Sequence, residues 1–596
     1  MILFVSEMKC FNNKYICIKK LSNYLSVIFL SILNLWVMHH YFVFHGFLEG
    51  KLFKYSYIVN ACTIVIDISI IMALLLTLSF GRLRLSTYLT YILTLIWSFV
   101  NVFYGRFFFH YLSLSAVGQA GGLTDNVVIK SIFAGFQWTD LYYVFSLLLF
   151  ICVCCRNKLK NIKLSWKKII FVWIVYPFVS LIMIFLIYSS YHFLNSGTRN
   201  NLLLYKIKIV ELVINPTKAR NAYPNNVVYH AGIVRCLISE LNEIFSPYIV
   251  TNEQRIQIEQ EFFNHENRLT EHVVNPEIKN VVFILLESIL SVTSDLVVDG
   301  KRITPYLDSL KHANDVYYNG HVHPNITIGE SGDGQFIYMT GILPLRSKYT
   351  VGEVKNNNLP YALPRLFMEK MNIDYTEVIL PTSLNVWQQE SMNRVYDLRH
   401  CYEKSMVDGN QGEDLTDESV FLLAMNTAKV FHQPFFSIVL SISTHQPYRE
   451  IVDPFFHIND NNLPHEYLRY LNACHFMDMQ VKKYIEYLKR ENIFDNSLII
   501  IASDHHAHLD AMGMDGKIST DLPLYIINGN IDKTKAYDGP CNQLDLYTTI
   551  LDVLHIENEW RGLGYSLLKS NYQNSVTEHT YDISEWIIMG DYFSTK

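Results

Sequence analysis

Five long apolar stretches in the first third of the chain decide what it can become. They lie at about 21–44, 57–80, 86–105, 140–155 and 168–190, and most approach the roughly 20 residues with which a helix crosses a bilayer. Half of all residues are hydrophobic and only 17% are charged. That is too apolar for an ordinary soluble chain of 596 residues, and it predicts a membrane part joined to a soluble part.

Basic residues orient the spans. Lys9, Lys14, Lys19 and Lys20 precede the first stretch, Arg82 and Arg84 separate the second from the third, and Arg156, Lys158, Lys160, Lys163, Lys167 and Lys168 separate the fourth from the fifth. The alternate loops carry little, mainly Lys51, Lys54, Arg106 and Lys130. Positive charge marks cytoplasmic loops, so five spans with a cytoplasmic start put everything after Tyr191 outside. No cleavage site follows the first stretch, which reads as an anchor and not a removable signal. The expected organisation is a cytoplasmic N-terminus at 1–20, a transmembrane domain of five helices at 21–190 and a helical linker at the membrane surface at 191–275. An extracytoplasmic globular domain follows at 276–570, with a C-terminal tail at 571–596.

A net charge of −6 with no polybasic stripe argues against nucleic acid as a partner. Only four of the ten cysteines, Cys236, Cys401, Cys474 and Cys541, are expected outside. They form no CxxC metal pair, and their sequence spacing assigns no disulfide.

The exported part alternates strands and helices. "NVVFILLES" and "FFSIVLSISTH" are apolar strands with polar exits, and "TPYLDSLKHA" is a helix with Thr304 as its cap and Pro305 at its first position. "EYLRYLNACHFMDMQVKKYIEYLKREN" is a long amphipathic helix that runs into the strand "SLIIIASDHH". "LPLYIIN" and "QLDLYTTILDVLHI" add a strand and a helix. The order predicts an α/β sandwich around a mostly parallel sheet.

Each buried strand exit carries chemistry. The first gives Glu287, the middle one His445 and the last Asp504 and His505, with His506 and His508 just beyond. Ligands of open α/β sheets bind past the carboxyl ends of such strands. Between the first two exits lies "IGESGDGQF", whose glycines let backbone approach an anion and whose hydroxyl is Ser331. Two carboxylates, an imidazole and a hydroxyl suit a divalent cation such as manganese or zinc. Asp333 and Asp545 read as loop-holding acids.

These residues resemble the alkaline phosphatase superfamily, and more closely the sulfatase-like membrane enzymes that include lipoteichoic acid synthases and phosphoethanolamine transferases. The segments that carry the resemblance are "NVVFILLESI", "ITPYLDSL", "GESGDGQF", "SISTHQPY", "DNSLIIIASDHH" and "QLDLYTTILDVL", in the family's order. The membrane part resembles the synthase branch, with five spans and "NVFYGRFFFHYLSLSAVGQAGGLTDN" leading out of the third. The resemblance implies that Glu287, Ser331, Asp504 and His505 ligate one divalent cation, manganese by preference with zinc or magnesium as alternatives. It implies further that Ser331, standing where the family usually has Thr, is the nucleophile. His445, Trp387 and, with less support, His508 would contact the substrate.

The implied activity is transfer of a phospholipid head group to a cell-envelope acceptor through a covalent phospho-Ser331, at the plasma membrane. Phosphoglycerol is the first choice and phosphoethanolamine the second. Where the synthases carry a His and an Arg that grip glycerol phosphate, this chain has Leu380 and Gln389, and a neutral amide cannot make the forked charged contact of Arg. A true sulfatase is disfavoured because Ser331-Gly-Asp-Gly-Gln lacks the Pro and Arg of the formylglycine motif. A phosphodiesterase would use the same ligands, and an inactive scaffold would have no need to keep all four. The acceptor stays open at this level.

Overall fold

The computed structural model describes residues 14–44, 57–108, 110–114, 135–156, 162–194, 224–245, 248–263, 272–407, 415–429, 433–448, 451, 456–458, 460–569, 571–574 and 576–594. They divide into two units, one of the described residues up to 247 and one of those from 248 onward.

The first unit contains five helices long and apolar enough to cross a membrane, at Asn23–Val43, Val59–Leu78, Leu83–Arg106, Trp138–Cys155 and Trp166–Ile187. They fall on the five apolar stretches of the sequence. Arg106 makes a forked ion pair with Asp140, at 2.7 and 2.5 Å, that ties the end of the third helix to the start of the fourth. Residues 195–223 of the expected linker lie outside the described residues, but Pro224–Ala231 and Ile233–Phe245 are helices of this same unit. The Asp67 carboxylate, inside the second helix, accepts from the backbone amides of Ile233 and Val234 at 2.9 and 3.0 Å. A carboxylate there satisfies donors that a helix start leaves bare.

The second unit is built on an eight-stranded sheet. Its strands are β1 (Asn280–Leu286), β4 (Val316–His323), β5 (Tyr375–Ile379), β6 (His400–Tyr402), β7 (Phe435–Leu440), β8 (Ser497–Ser503), β9 (Leu522–Ile527) and β10 (Cys541–Asn542). A two-stranded ribbon, β2 (Val297–Val298) with β3 (Lys301–Arg302), stands apart. The spatial order is β10-β4-β9-β8-β1-β7-β5-β6, and only β9 runs against the others. The mostly parallel α/β sandwich expected from the sequence is therefore what the chain folds into.

Every residue of β1 is buried, which is why it reads as an apolar run from Val281 to Leu286. Val282, Ile284 and Leu286 face the cluster that contains Met477, Val481, Ile485 and Leu488 of the long helix His465–Arg490. Phe283 turns the other way, with its ring 5.6 Å from that of Tyr338 in helix Ser331–Thr340. The two helices thus cover opposite faces of the same strand, at about 1.5–3 kcal/mol for each large side chain buried.

Helix Pro305–Lys311 has Thr304 at its cap position, but the cap works differently from expectation. The Thr304 hydroxyl donates to the carbonyl of Thr293. The Asp478 carboxylate from the long helix accepts from Tyr306 and Leu307 amides instead, both at 2.8 Å. A charged acceptor is the stronger partner for two bare amides, so the distant acid serves where the local hydroxyl was expected. Within the stretch read as a C-terminal tail, Glu578–Met589 is a helix. Arg346 holds it through Glu578, Asp582 and Glu585. Cys401, Cys474 and Cys541 of this unit and Cys236 of the first are all free thiols.

Candidate active site at the strand exits

β1 lies between β7 and β8, with Leu286 in register with Ser503 and Leu285 with Leu440. Glu287 and Asp504 therefore emerge side by side, and Ser441 stands one step back, level with Leu286. Glu287, Asp504 and His505 offer ligand atoms that all lie within 4.8 Å of one another. Ser331 begins its helix beside them. Its hydroxyl donates to Glu287 Oε2 at 3.2 Å and lies 3.2 Å from His505 Nε2. Exposure is 3%, 6%, 3% and 2% for Glu287, Ser331, Asp504 and His505. The four residues read from the sequence are one cluster.

Neighbouring groups aim each member. Glu287 donates its amide to Ser441 Oγ and accepts on Oε1 from Ser288 Oγ at 2.6 Å, while the Thr444 hydroxyl donates to its carbonyl. Asp504 Oδ1 accepts from the amides of Ser288 and His505 at 2.9 and 2.7 Å. That leaves Oδ2, 3.7 Å from His505 Nε2, for the cluster. His505 Nδ1 donates to the carbonyl of His506 at 2.8 Å. This partner assigns a proton to Nδ1, so Nε2, which faces the other three groups, is the nitrogen a cation would take.

Ser331 is held from behind. Asp333 accepts from the amides of Thr327 and Gly329 at 3.0 and 2.8 Å and from the Thr327 hydroxyl, which shapes the loop before the helix. Tyr338 donates to the carbonyl of Ser503 and Gln543 to that of Asp504, both at 2.7 Å. Asp545 is also a loop holder, accepting from the amides of Asn542 and Tyr565.

Without a cation the cluster is neutralised by protons: burial raises Glu330 and Asp504, and the surrounding carboxylates raise His505 against its own burial. Three carboxyl groups, those of the buried Glu287 and Asp504 and of the half-buried Glu330, face His505 at 3.2, 3.7 and 3.5 Å. Among the described residues no Lys or Arg pairs with any of them. Burial pushes Asp504 up to about 7, with the neighbouring Glu287 charge adding to it. Burial also opposes charge on Glu287, yet the adjoining His505 holds it well below the usual carboxylate range. Isolated buried charges are costly and normally pair or bind a metal. Two carboxylates, an imidazole nitrogen and a hydroxyl, converging within ligand reach, fit a divalent cation of the manganese or zinc kind, which would take the place of the protons.

The remaining candidates differ in how they are placed. His445 follows β7 in a loop whose Ile442 and Ser443 amides bond to the Asp417 carboxylate, and its imidazole is close enough to act on the Glu287 charge. The His508 ring lies 5.9 Å from that of His505, and burial pushes its pKa well down. His506 is likewise lowered to about 4 by burial. Trp387 belongs to the short helix Val386–Gln388, and its side chain lies outside what is described. Gln389 donates to Asn393 at 2.8 Å, and Leu380 is fully buried.

Sequence reading missed the groups that brace the cluster: Ser288, Ser441, Thr444, Asp417 and Glu330. Ser441 and Thr444 lie in the quoted "LSISTH", but only the fold turns their hydroxyls toward Glu287. Glu330 stands before Ser331 with φ 45° and ψ −121°, a conformation that its residue type does not announce.

The Sulfatase family matches residues 279–556. Lipoteichoic acid synthase 2 of Bacillus subtilis (strain 168) is 23% identical over 347 residues, 53% of this chain and 52% of that protein. A lipoteichoic acid synthase of Staphylococcus saprophyticus is 22% identical over 512 residues, 80% of this chain and 74% of the relative. The match thus spans about half the length of the first relative and about three quarters of the second. Among solved structures, the lipoteichoic acid synthase LtaP from Listeria monocytogenes covers 53% of this chain and 81% of its own, at 17% identity and a TM-score of 0.42. The Streptococcus pyogenes phosphoglycerol transferase GacH in complex with sn-glycerol-1-phosphate covers 57% and 88%, at 14% identity and a TM-score of 0.37.

Proposed function

We propose that this chain, whose residues 279–556 belong to the Sulfatase family, transfers a phospholipid head group to a cell-envelope acceptor outside the plasma membrane. The single observation that carries the reading is Ser331 Oγ, 3.2 Å from both Glu287 Oε2 and His505 Nε2. A serine hydroxyl is a weak nucleophile at its free pKa and needs help to react. Glu287, Ser331, Asp504 and His505 would hold a divalent cation, manganese first, which stabilises the serine alkoxide and polarises the phosphoryl oxygen.

The residues divide the work. Ser331 Oγ gives up its proton and bonds to the lipid phosphorus, the phosphorus–oxygen bond to diacylglycerol breaks, and the departing oxygen takes a proton. His445, on its loop past β7, is the group suited to give that proton or to bind the phosphate oxygens. An acceptor hydroxyl then attacks the phospho-Ser331 ester, the head group leaves with it, and Ser331 regains its proton. Trp387 and His508 would line the head-group side.

Phosphoglycerol remains the first assignment, supported by the likeness to lipoteichoic acid synthases. Phosphoethanolamine is favoured by one observation: Gln389 spends its amide on Asn393 and Leu380 is apolar and buried, so neither offers glycerol phosphate a charged grip. The purified full-length protein, given labelled phosphatidylglycerol or phosphatidylethanolamine, should release diacylglycerol and carry one head group on Ser331. Ser331→Ala should fold, insert and release none. Parental turnover by that variant would end the reading, and head group released only to water would make the protein a phosphodiesterase.

A further inference from the structure

Glu330 has no part in the reaction above, yet it sits where a glutamate is hard to keep. Its φ of 45° and ψ of −121° belong to a region that favours glycine, because a Cβ crowds the backbone there. Such strain persists where the surroundings over-determine it, most often at functional sites. The side chain turns inward, and its buried Oε2 accepts no hydrogen bond. That oxygen lies 3.5 Å from His505 Nδ1. The same nitrogen donates to the His506 carbonyl at 2.8 Å and has Ser288 Oγ at 3.5 Å. Three oxygens therefore surround the Nδ1 edge of the ring, while Nε2 faces Glu287, Asp504 and Ser331.

A residue present for stability alone would not combine a strained backbone with an orphaned carboxyl oxygen, since glycine would relieve both. We propose that Glu330 is a positioning residue for the cation: its carboxylate backs the N–H edge of His505, fixing the ring with Nε2 in the cluster and strengthening that nitrogen as a donor. Acidic partners behind ligating histidines act in this way in metal sites generally. The inference rests on the cation-binding reading given above and adds a residue to it.

Calorimetric titration of zinc, manganese and magnesium into the full-length protein in detergent tests it, with Glu330→Gln and Glu330→Gly beside the parent. An effect carried through an imidazole weakens zinc most and magnesium least, because zinc has the greater preference for nitrogen. Zinc binding should fall about 10–100-fold in both variants. Equal losses for all three metals would mean plain charge removal, and unchanged zinc binding would mean no role; either overturns the proposal. Cation-free Glu330→Gly should also unfold about 2–4 °C above the parent, as strain is released. A lower midpoint removes the strain argument and the proposal with it. A parent protein that binds none of the three metals would instead refute the cation site itself.

Discussion

A Cβ built at Gly334 would lie 2.2 Å from the backbone carbonyl oxygen of Asp504. The helix that begins with Ser331 therefore rests directly on the strand exit that carries Asp504 and His505, and the missing side chain sets their separation. Gly334→Ala must push the two apart. We expect about 1–3 kcal/mol of lost stability from overpacking but a fall in turnover of about 100-fold, since small misplacements of reacting groups are costly. Diacylglycerol release measured beside thermal unfolding separates the two effects, and turnover within twofold of the parent would contradict this account of the spacing.

Removing one carboxylate should dismantle cation binding while leaving the sheet intact. Glu287→Gln and Asp504→Asn are each expected to abolish measurable manganese binding and turnover. In the parent protein, a chelator should lower the unfolding midpoint, because a cation at 100 times its Kd stabilises the native state by about 2.7 kcal/mol. Neither variant should respond to the chelator. A chelator response retained by both would separate the cation from these residues.

Glu377 lies fully buried in β5 and accepts from Ser437 Oγ at 2.6 Å. Burial pushes its pKa from 4.5 up to about 8. The folded state thus prefers the protonated acid more than the unfolded chain does. Stability from this group is complete below about 4.5, declines as pH rises, and is gone once pH passes about 8. Glu377→Gln, which cannot ionise, should be the more stable protein at pH 8 by on the order of a few kcal/mol, with the gap closing toward pH 4.5. Denaturant midpoints at the two pH values check this; parallel pH curves would refute it.

Arg346 binds Glu585 through Nε at 3.0 Å and Nη2 at 3.2 Å, and adds Glu578 and Asp582 on the same helix. Arg346→Ala leaves the nearly buried Glu585 without its partner. We expect a loss of about 1–3 kcal/mol, discounted for the solvent around Glu578 and Asp582. Proteolysis should then cut near 575 before the rest of the unit. Unchanged resistance to cleavage would show that other contacts hold the helix.

Much was legible where a local pattern reports a global environment. A short apolar run such as 281–286, between polar residues, reads as a strand covered on both faces, and its polar exit gave Glu287, just as 498–502 led to Asp504 and His505. The braces were less legible because they depend on partners far along the chain. Asp478 caps a helix more than 170 residues earlier, and Thr304, the local candidate, bonds elsewhere. β4, β5, β6 and β10 are short or half-polar, and only pairing with neighbours makes them strands. Gln389 was recognised as the wrong residue for a forked phosphate contact; its bond to Asn393 became visible only in the fold.

What the sequence determined by itself was composition in space: apolar runs long enough for a bilayer, buried strands, and reactive groups at the strand ends. What the tertiary structure decided was convergence. Glu287, Ser331 and His505 are separated by 44 and 174 residues, and no local rule sets their distance. That distance follows from parallel register between β1 and β8 and from the close seat of Gly334 on Asp504, both of which exist only once the sheet has formed.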